Sequence, residues 1–187
     1  MVELAAHGIA LELASLMFMV HMGLSNAATV RAGRAYGAGD RQRLRDGAKV
    51  ALVMSGLFGV VTIAAFVGLP RPLIGLFLDQ ANPESAEIIA FGSRLLAVAA
   101  IFQLFDAAQV MALGLLRGVH DTRVPMYVAA GSYWLIGVPT SYLLAFTLGL
   151  GGVGLWLGLV VGLACVGVAM IIRFWRGPWL QPEAPAA

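Results

Sequence analysis

Charged residues are scarce in this sequence. Asp, Glu, Lys and Arg together make up 12% of its 187 residues, against roughly 25% in a soluble domain. That shortage excludes an ordinary water-soluble fold, which needs polar side chains to cover its surface. Cysteine is nearly absent: Cys165 is the single one, so no internal disulfide can form. Its apolar surroundings make it a small hydrophobe rather than a reactive thiol. A Gly-x-x-x-x-Gly-Lys-Ser/Thr phosphate loop is missing, as is any pair of histidines at metal-ligand spacing. No Ser-His-Asp arrangement can be argued either. Without a catalytic constellation, neither an enzyme nor a cofactor is expected. Alternating ten-residue segments are lacking too, which argues against a β-barrel. The start, Met1-Val2-Glu3, has no basic n-region and leads into an apolar stretch too long for an h-region. No cleavable signal peptide is therefore expected.

Hydrophobic residues are what the chain has in excess, at 60%, with a mean hydropathy of +0.86. A bilayer core of about 30 Å needs about 20 helical residues to cross it. Five apolar runs qualify: residues 4–30, 50–69, 88–116, 124–148 and 153–172. With their flanks they predict helices over 4–31, 48–69, 86–116, 124–148 and 151–173. The expected fold is an all-α, polytopic membrane bundle of about five transmembrane helices. The first and third runs are longer than needed and are expected to tilt or to extend past the membrane surface. The breaks are legible. Gly37-Ala38-Gly39-Asp40 with Arg41, Arg43 and Arg45 reads as a polar loop. Pro70-Arg71-Pro72 ends the second helix, because proline cannot continue the backbone ladder. Asn82 or Ser85 could cap the third helix. Residues 117–123 form a tight polar turn, and Gly149-Leu150-Gly151-Gly152 a short link. The Pro/Ala-rich tail, residues 176–187, reads as disordered.

A net charge of +2 and a pI near 9.0 do not imply a nucleic-acid partner. The basic residues sit between the apolar runs, where they fix orientation. Arg31, Arg34, Arg41, Arg43, Arg45 and Lys49 belong to the first loop and Arg71 to the second. Arg117 and Arg123 belong to the third, the fourth has none, and Arg173 and Arg176 lie in the tail. This alternation makes loops one and three and the C-terminus cytoplasmic. Trp175 and Trp179 fit an interfacial anchor beside Arg176. The N-terminus then lies outside, with nothing upstream to carry it there, so further N-terminal helices are expected.

A charge at membrane depth is costly and faces a cavity or a partner. Asp106 is the sharpest case. It lies ten residues from Leu116, about 15 Å along a helix at 1.5 Å per residue, near the midplane. Gln103 and Gln109 flank it at three-residue spacing and are expected on one face with it. A carboxylate between two amides suits binding a cation or carrying a proton; the plainer alternative is a hydrogen-bond cluster holding helices together. Glu12 heads a second stripe with Ser15, Met19 and Asn26, and methionine suits sites that accept varied shapes. The plainer reading is that Glu12 reaches water. His21, opposite Glu12, is expected to pack helices, while His7 and His120 are expected at the surface. Arg94 is expected to snorkel outward or line an outer vestibule. Gly131, Gly137, Gly158 and Gly162 are expected to permit close helix packing.

Four ordered strings carry a family resemblance. Ala27-Ala28-Thr29-Val30-Arg31-Ala32-Gly33-Arg34-Ala35-Tyr36-Gly37-Ala38-Gly39-Asp40 resembles a helix end and cytoplasmic loop of the multidrug and toxic compound extrusion (MATE) family. Leu116-Arg117-Gly118-Val119-His120-Asp121-Thr122-Arg123-Val124-Pro125-Met126 is similar to that family's turn between its tenth and eleventh helices. Tyr133-Trp134-Leu135-Ile136-Gly137-Val138-Pro139 and Gly149-Leu150-Gly151-Gly152-Val153-Gly154-Leu155-Trp156 follow in order. The resemblance covers residues 4–175.

It implies helices eight to twelve of a twelve-helix, two-lobed protein of a bacterial inner membrane, an incomplete C-lobe. The N-lobe and helix seven would come from elsewhere or from a partner chain. It further implies membrane lipid as surroundings, cationic amphipathic small molecules as cargo, Na⁺ or H⁺ as the exchanged ion, and alternating access. Asp106 falls on the family's helix-ten aspartate of a C-lobe cation site; Gln103, Gln109, Phe102, Glu12, Asn26 and Met19 are the further candidates for contact with substrate or coupling ion. Phe102 stands where a tyrosine is often found, which removes one oxygen ligand. Glu12 stands where many relatives have Asn or Gln, and His21 where many have proline. Two rival readings accompany an antiporter component: a flippase for lipid-linked precursors, which would need a strongly cationic cavity, and a non-transporting truncated remnant.

Overall fold

The computed structural model describes residues 2–78 and 83–181. Among them there is no strand. Helix α1 spans Val2–Gly37, α2 Arg41–Gly68, α3 Pro70–Gly75 and α4 Ser85–Gly118. Then come α5 (Arg123–Gly131), a π turn (Ser132–Gly137), α6 (Val138–Tyr142) and a second π turn (Leu143–Thr147). Helix α7 spans Gly151–Arg176, and a 3₁₀ turn follows at Pro178–Leu180. Helices α1, α2, α4 and α7 are each long and apolar enough to cross a membrane. The fourth expected span, residues 124–148, is observed as a helical run over residues 123–147 that alternates between α and π winding. Pro139 accounts for the first wide turn. It has no N–H to give, and its ring would strike the carbonyl four residues back. The Val138 N–H instead bonds the Tyr133 carbonyl, five residues back.

The polar loops are shorter than the sequence suggests. Helix α1 continues to Gly37 and α2 starts at Arg41, so the expected helices ending at 31 and starting at 48 were both too short. Arginine and lysine are good helix formers, and their charged heads reach water from a helix end as readily as from a loop. The turn is closed by Gly39 at φ +67° and by Asp40, whose carboxylate accepts from the Arg43 N–H at 2.8 Å as the N-cap of α2. Ser85 is the first residue of α4 and Glu84 occupies its N-cap position. Asn82 lies outside the described residues. The tail is ordered through Gln181: Leu180 is buried, and the Trp179 indole donates to the Phe174 carbonyl at 2.8 Å. Residues 182–187 lie outside the described residues.

Small residues hold the bundle together. Between α1 and α4, the Ser25 hydroxyl donates to the Val110 carbonyl at 2.7 Å and the Thr29 hydroxyl to the Gly114 carbonyl at 2.8 Å. Gly118 sits so close that a Cβ there would fall 2.7 Å from the Ala32 Cβ. Lipid is as apolar as leucine, so close van der Waals approach and interhelical hydrogen bonds provide the association. A second strip joins α7 to the segment 123–147. Gly154 faces the Leu144–Ala145 backbone, Gly158 faces Ser141 and Gly162 faces Gly137. The expected packing role therefore holds for Gly137, Gly158 and Gly162, whereas Gly131 faces open space.

The buried apolar residues form two clusters, one toward each end of the bundle. One contains Ala28, Leu44, Met111, Leu115, Met170 and Phe174. The other contains Ala10, Phe66, Ile74, Leu95, Leu96 and Trp156. Between them on α1 and α4 lie the buried polar side chains His21, Gln103 and Asp106. His21 Nδ1 is 2.9 Å from the Ser55 hydroxyl of α2 and its ring stands edge-on to Phe58, so it packs helices as expected. The basic segments meet at one end. Tyr36 lies against His120, and Arg173 pairs with Asp121.

Substituting Gly158 with alanine is expected to destabilise the chain by about 1–3 kcal/mol through overpacking against the Ser141 backbone. Gly131→Ala is expected to be neutral or slightly stabilising, because alanine is the better helix former. Thermal unfolding in detergent micelles distinguishes them; equal melting temperatures would show that the glycine strip is dispensable. A double-mutant cycle on Asp121 and Arg173, read by the same melts, is expected to return a coupling of about 1 kcal/mol.

Candidate functional site: a cavity at Asp106

A cavity of about 780 Å³ opens in the polar layer, walled by α1, α4, α6 with its following π turn, and α7. Its surface is largely apolar, with Phe18, Phe102, Tyr142, Phe146 and Trp156 among its walls. His7, Ser15, Gln103, Asp106 and Ser141 bring polar groups to it. On α4, Phe102, Gln103 and Asp106 fall at positions i, i+1 and i+4, which lie within one sector of a helix. That sector is the one α4 turns toward the cavity.

Asp106 is 9% exposed and makes no ion pair among the described residues. Gln103 is fully buried in the same wall, and neither its Oε1 nor its Nε2 has a hydrogen-bond partner. Buried polar atoms are almost always paired, so this amide stands out. Gln109 does not join them, and the expectation that all three share one face is corrected. A step of three residues falls short of a full turn by about 60°, so two steps carry a side chain about 120° away. Gln109 Oε1 instead accepts from the Tyr133 hydroxyl at 2.6 Å, tying the first π turn to α4.

The Glu12 stripe lies mostly outside this cavity. Glu12, Ser15, Met19 and Asn26 are exposed, Met19 to 67%. Of the four, only Ser15 lines the cavity. The cavity face of α1 runs through His7, Leu11, Ala14, Ser15 and Phe18, and Glu12 and Met19 sit beside it rather than on it.

His7, expected at the surface, is half-buried. It lines the cavity, and its Nδ1 accepts from the Trp156 indole N–H at 3.2 Å. Arg94 is exposed, and no Lys or Arg lines the cavity. Sequence reasoning passed over His7, Tyr133, Ser141 and Trp156 as site residues. His7 and Trp156 are 149 positions apart, beyond the reach of any local pattern. Tyr133 could have been found from Pro139, which foretells a rewound turn there.

A family model described as MatE matches residues 1–143. The chain is 45% identical over 186 residues to the probable multidrug resistance protein NorM of Rhizobium meliloti (strain 1021), an alignment covering 100% of this chain and 40% of that protein. It is 44% identical over 171 residues to the multidrug resistance protein NorM of Burkholderia vietnamiensis, covering 91% and 37%. Among solved structures it resembles the eukaryotic MATE transporter AtDTX14 with a TM-score of 0.84 at 24% identity, over 96% of this chain and 39% of that one. An inward-facing multidrug resistance MATE family transporter of the MOP superfamily gives 0.73 at 22% identity, over 96% and 40%. At those identities the likeness shows the fold. The chain thus spans about 40% of the length of the first of these relatives, and the relatives are named as resistance proteins and transporters, not as enzymes. With its helices able to span a bilayer and a family model matching most of its length, this multi-pass membrane chain belongs to the MatE family.

Proposed function

We propose that this chain supplies the ion- and substrate-binding part of a secondary antiporter. The antiporter exports cationic amphipathic organic compounds across a bacterial plasma membrane in exchange for H⁺ or Na⁺. The observation that carries this reading is Asp106, a carboxylate without a basic partner on the wall of an otherwise largely apolar cavity. A charge at that depth is retained because it faces a cavity and meets a mobile cation. One negative charge in a medium of low dielectric cannot hold two cations at once, so binding one favours release of the other. The aromatic walls suit the flat apolar part of such a compound. Phe102, one turn before Asp106, has no oxygen to offer a metal ion; this favours H⁺ over Na⁺ as the exchanged ion.

By the positive-inside rule, the basic helix ends support a cytoplasmic position for the first and third turns and the C-terminus. The remaining length that the relatives carry would complete the translocation path. A flippase for lipid-linked diphosphates would need cationic groups in the cavity, and Arg94 lies outside it.

In detergent micelles the purified chain is expected to bind ethidium, and protons or Na⁺ are expected to displace it. Asp106→Asn should bind at least about tenfold more weakly, a loss of about 1.4 kcal/mol, and should lose the sensitivity to both ions. Dye efflux from cells producing the chain joined to the remaining length of its relatives should likewise require Asp106. Undiminished binding with unchanged ion dependence in Asp106→Asn would reject the assignment.

A further inference from the structure

We propose that His7 is a positioning residue, fixing the Trp156–Phe102 wall of the cavity and thereby setting a preference for cations that carry flat ring systems. This rests on the cavity's being the substrate site and deepens that reading.

Trp156 is 5% exposed and sits among apolar helices, with an indole N–H that can only donate. A buried N–H of this kind needs an acceptor. His7 Nδ1, 3.2 Å away, is its acceptor, so the imidazole proton resides on Nε2. The other edge of the same imidazole is pressed against Gly152, where a Cβ would collide with Nε2. Phe91 lies against the ring at a centroid distance of 6.2 Å. The imidazole is thus held by α4 and α7 and in turn fixes the indole plane. Trp156 meets Phe102 edge to face, 5.4 Å between centroids at 74°, and Phe102 lies one turn before Asp106 on α4. The order of contact is therefore Gly152, His7, Trp156, Phe102, ending beside the carboxylate. A flat cation that places its charge at Asp106 sets its rings against this wall, and a cation without rings makes no use of it.

The test compares ethidium with tetraethylammonium, the latter by competition, on the purified chain in micelles. His7→Leu should weaken ethidium binding about tenfold, the equivalent of one well-made aromatic contact, and change tetraethylammonium less than about twofold. His7→Asn, whose Oδ1 takes the place of Nδ1 as acceptor, should restore the preference. Gly152→Ala, which displaces the imidazole without touching the bond's atoms, should reproduce the loss. In a Trp156→Phe background, His7→Leu should add nothing. Equal weakening of both ligands, failure of His7→Asn to rescue, or an undiminished His7 effect without the indole would overturn the proposal. Asp106→Asn is the separate control: it should weaken both cations alike, and its failure to do so would count against the antiporter reading and not against His7.

Discussion

An acid at the depth of Asp106 is tolerable only where the helices around it decline to pack. Transferring a carboxylate into a continuous apolar interior costs several kcal/mol even after relaxation. Here the buried apolar residues separate into two clusters, and the carboxylate occupies the layer between them, on a cavity of about 780 Å³. The division sets the rest of the architecture. The clusters toward the two ends keep α1, α4 and α7 together, and the middle is left to polar groups. His21 finds Ser55 across the interface with α2, while Gln103 finds nothing. Two neighbouring side chains on one helix face, one charged and one an unpaired amide, mark a place where the chain's own groups are insufficient and a ligand or water must complete the bonding.

How the cavity is walled follows from which helices are joined by small residues. Helices α1 and α4 approach through Gly114 and Gly118, with Ser25 and Thr29 donating across the gap. The segment 123–147 lies along α7 through the glycine strip. Its π turns widen the backbone on either side of Val138–Tyr142, the stretch that presents Val138, Ser141 and Tyr142 to the cavity. Away from α7, its one side-chain hydrogen bond to the core helices among the described residues is from Tyr133 to Gln109. One wall of the cavity is therefore carried on α7, while the wall bearing Asp106 is locked to α1.

Much of this was legible in the sequence, because membrane helices advertise themselves by length. The apolar runs located the four membrane-length helices and the helical segment 123–147, and Pro70 and Gly149 fell where the chain breaks or turns. A lone aspartate far from either end of an apolar run reads as a site or as part of a hydrogen-bond cluster between helices. The failures have physical causes. Helix ends were misjudged at residues 31 and 48 because arginines were read as loop, although their long stems let a helix carry them into water. Gln109 was misjudged because three-residue spacing drifts with each step, so a second step changes the face. Glu12 and Met19 follow a regular stripe, but spacing cannot say toward which neighbour a stripe points. His7 lies near the end of an apolar segment, which by itself suggests the surface, whereas its environment is made by α4 and α7.

That last case shows where information about specificity resides in such a bundle. Asp106 is recognisable alone, since charge at depth is costly whatever surrounds it. The shape of the space beside it depends on Trp156, whose ring is oriented by a histidine on another helix, which a glycine one turn before Trp156 makes room for. Each of these residues is unremarkable in its own segment. Replacing Gly152 would add a methyl group to α7, leave the charge and the fold's glycine strip unchanged, and still be felt at Phe102 beside the carboxylate. Charge selection and shape selection in this cavity are thus built from separate residues, and the second can vary without disturbing the first.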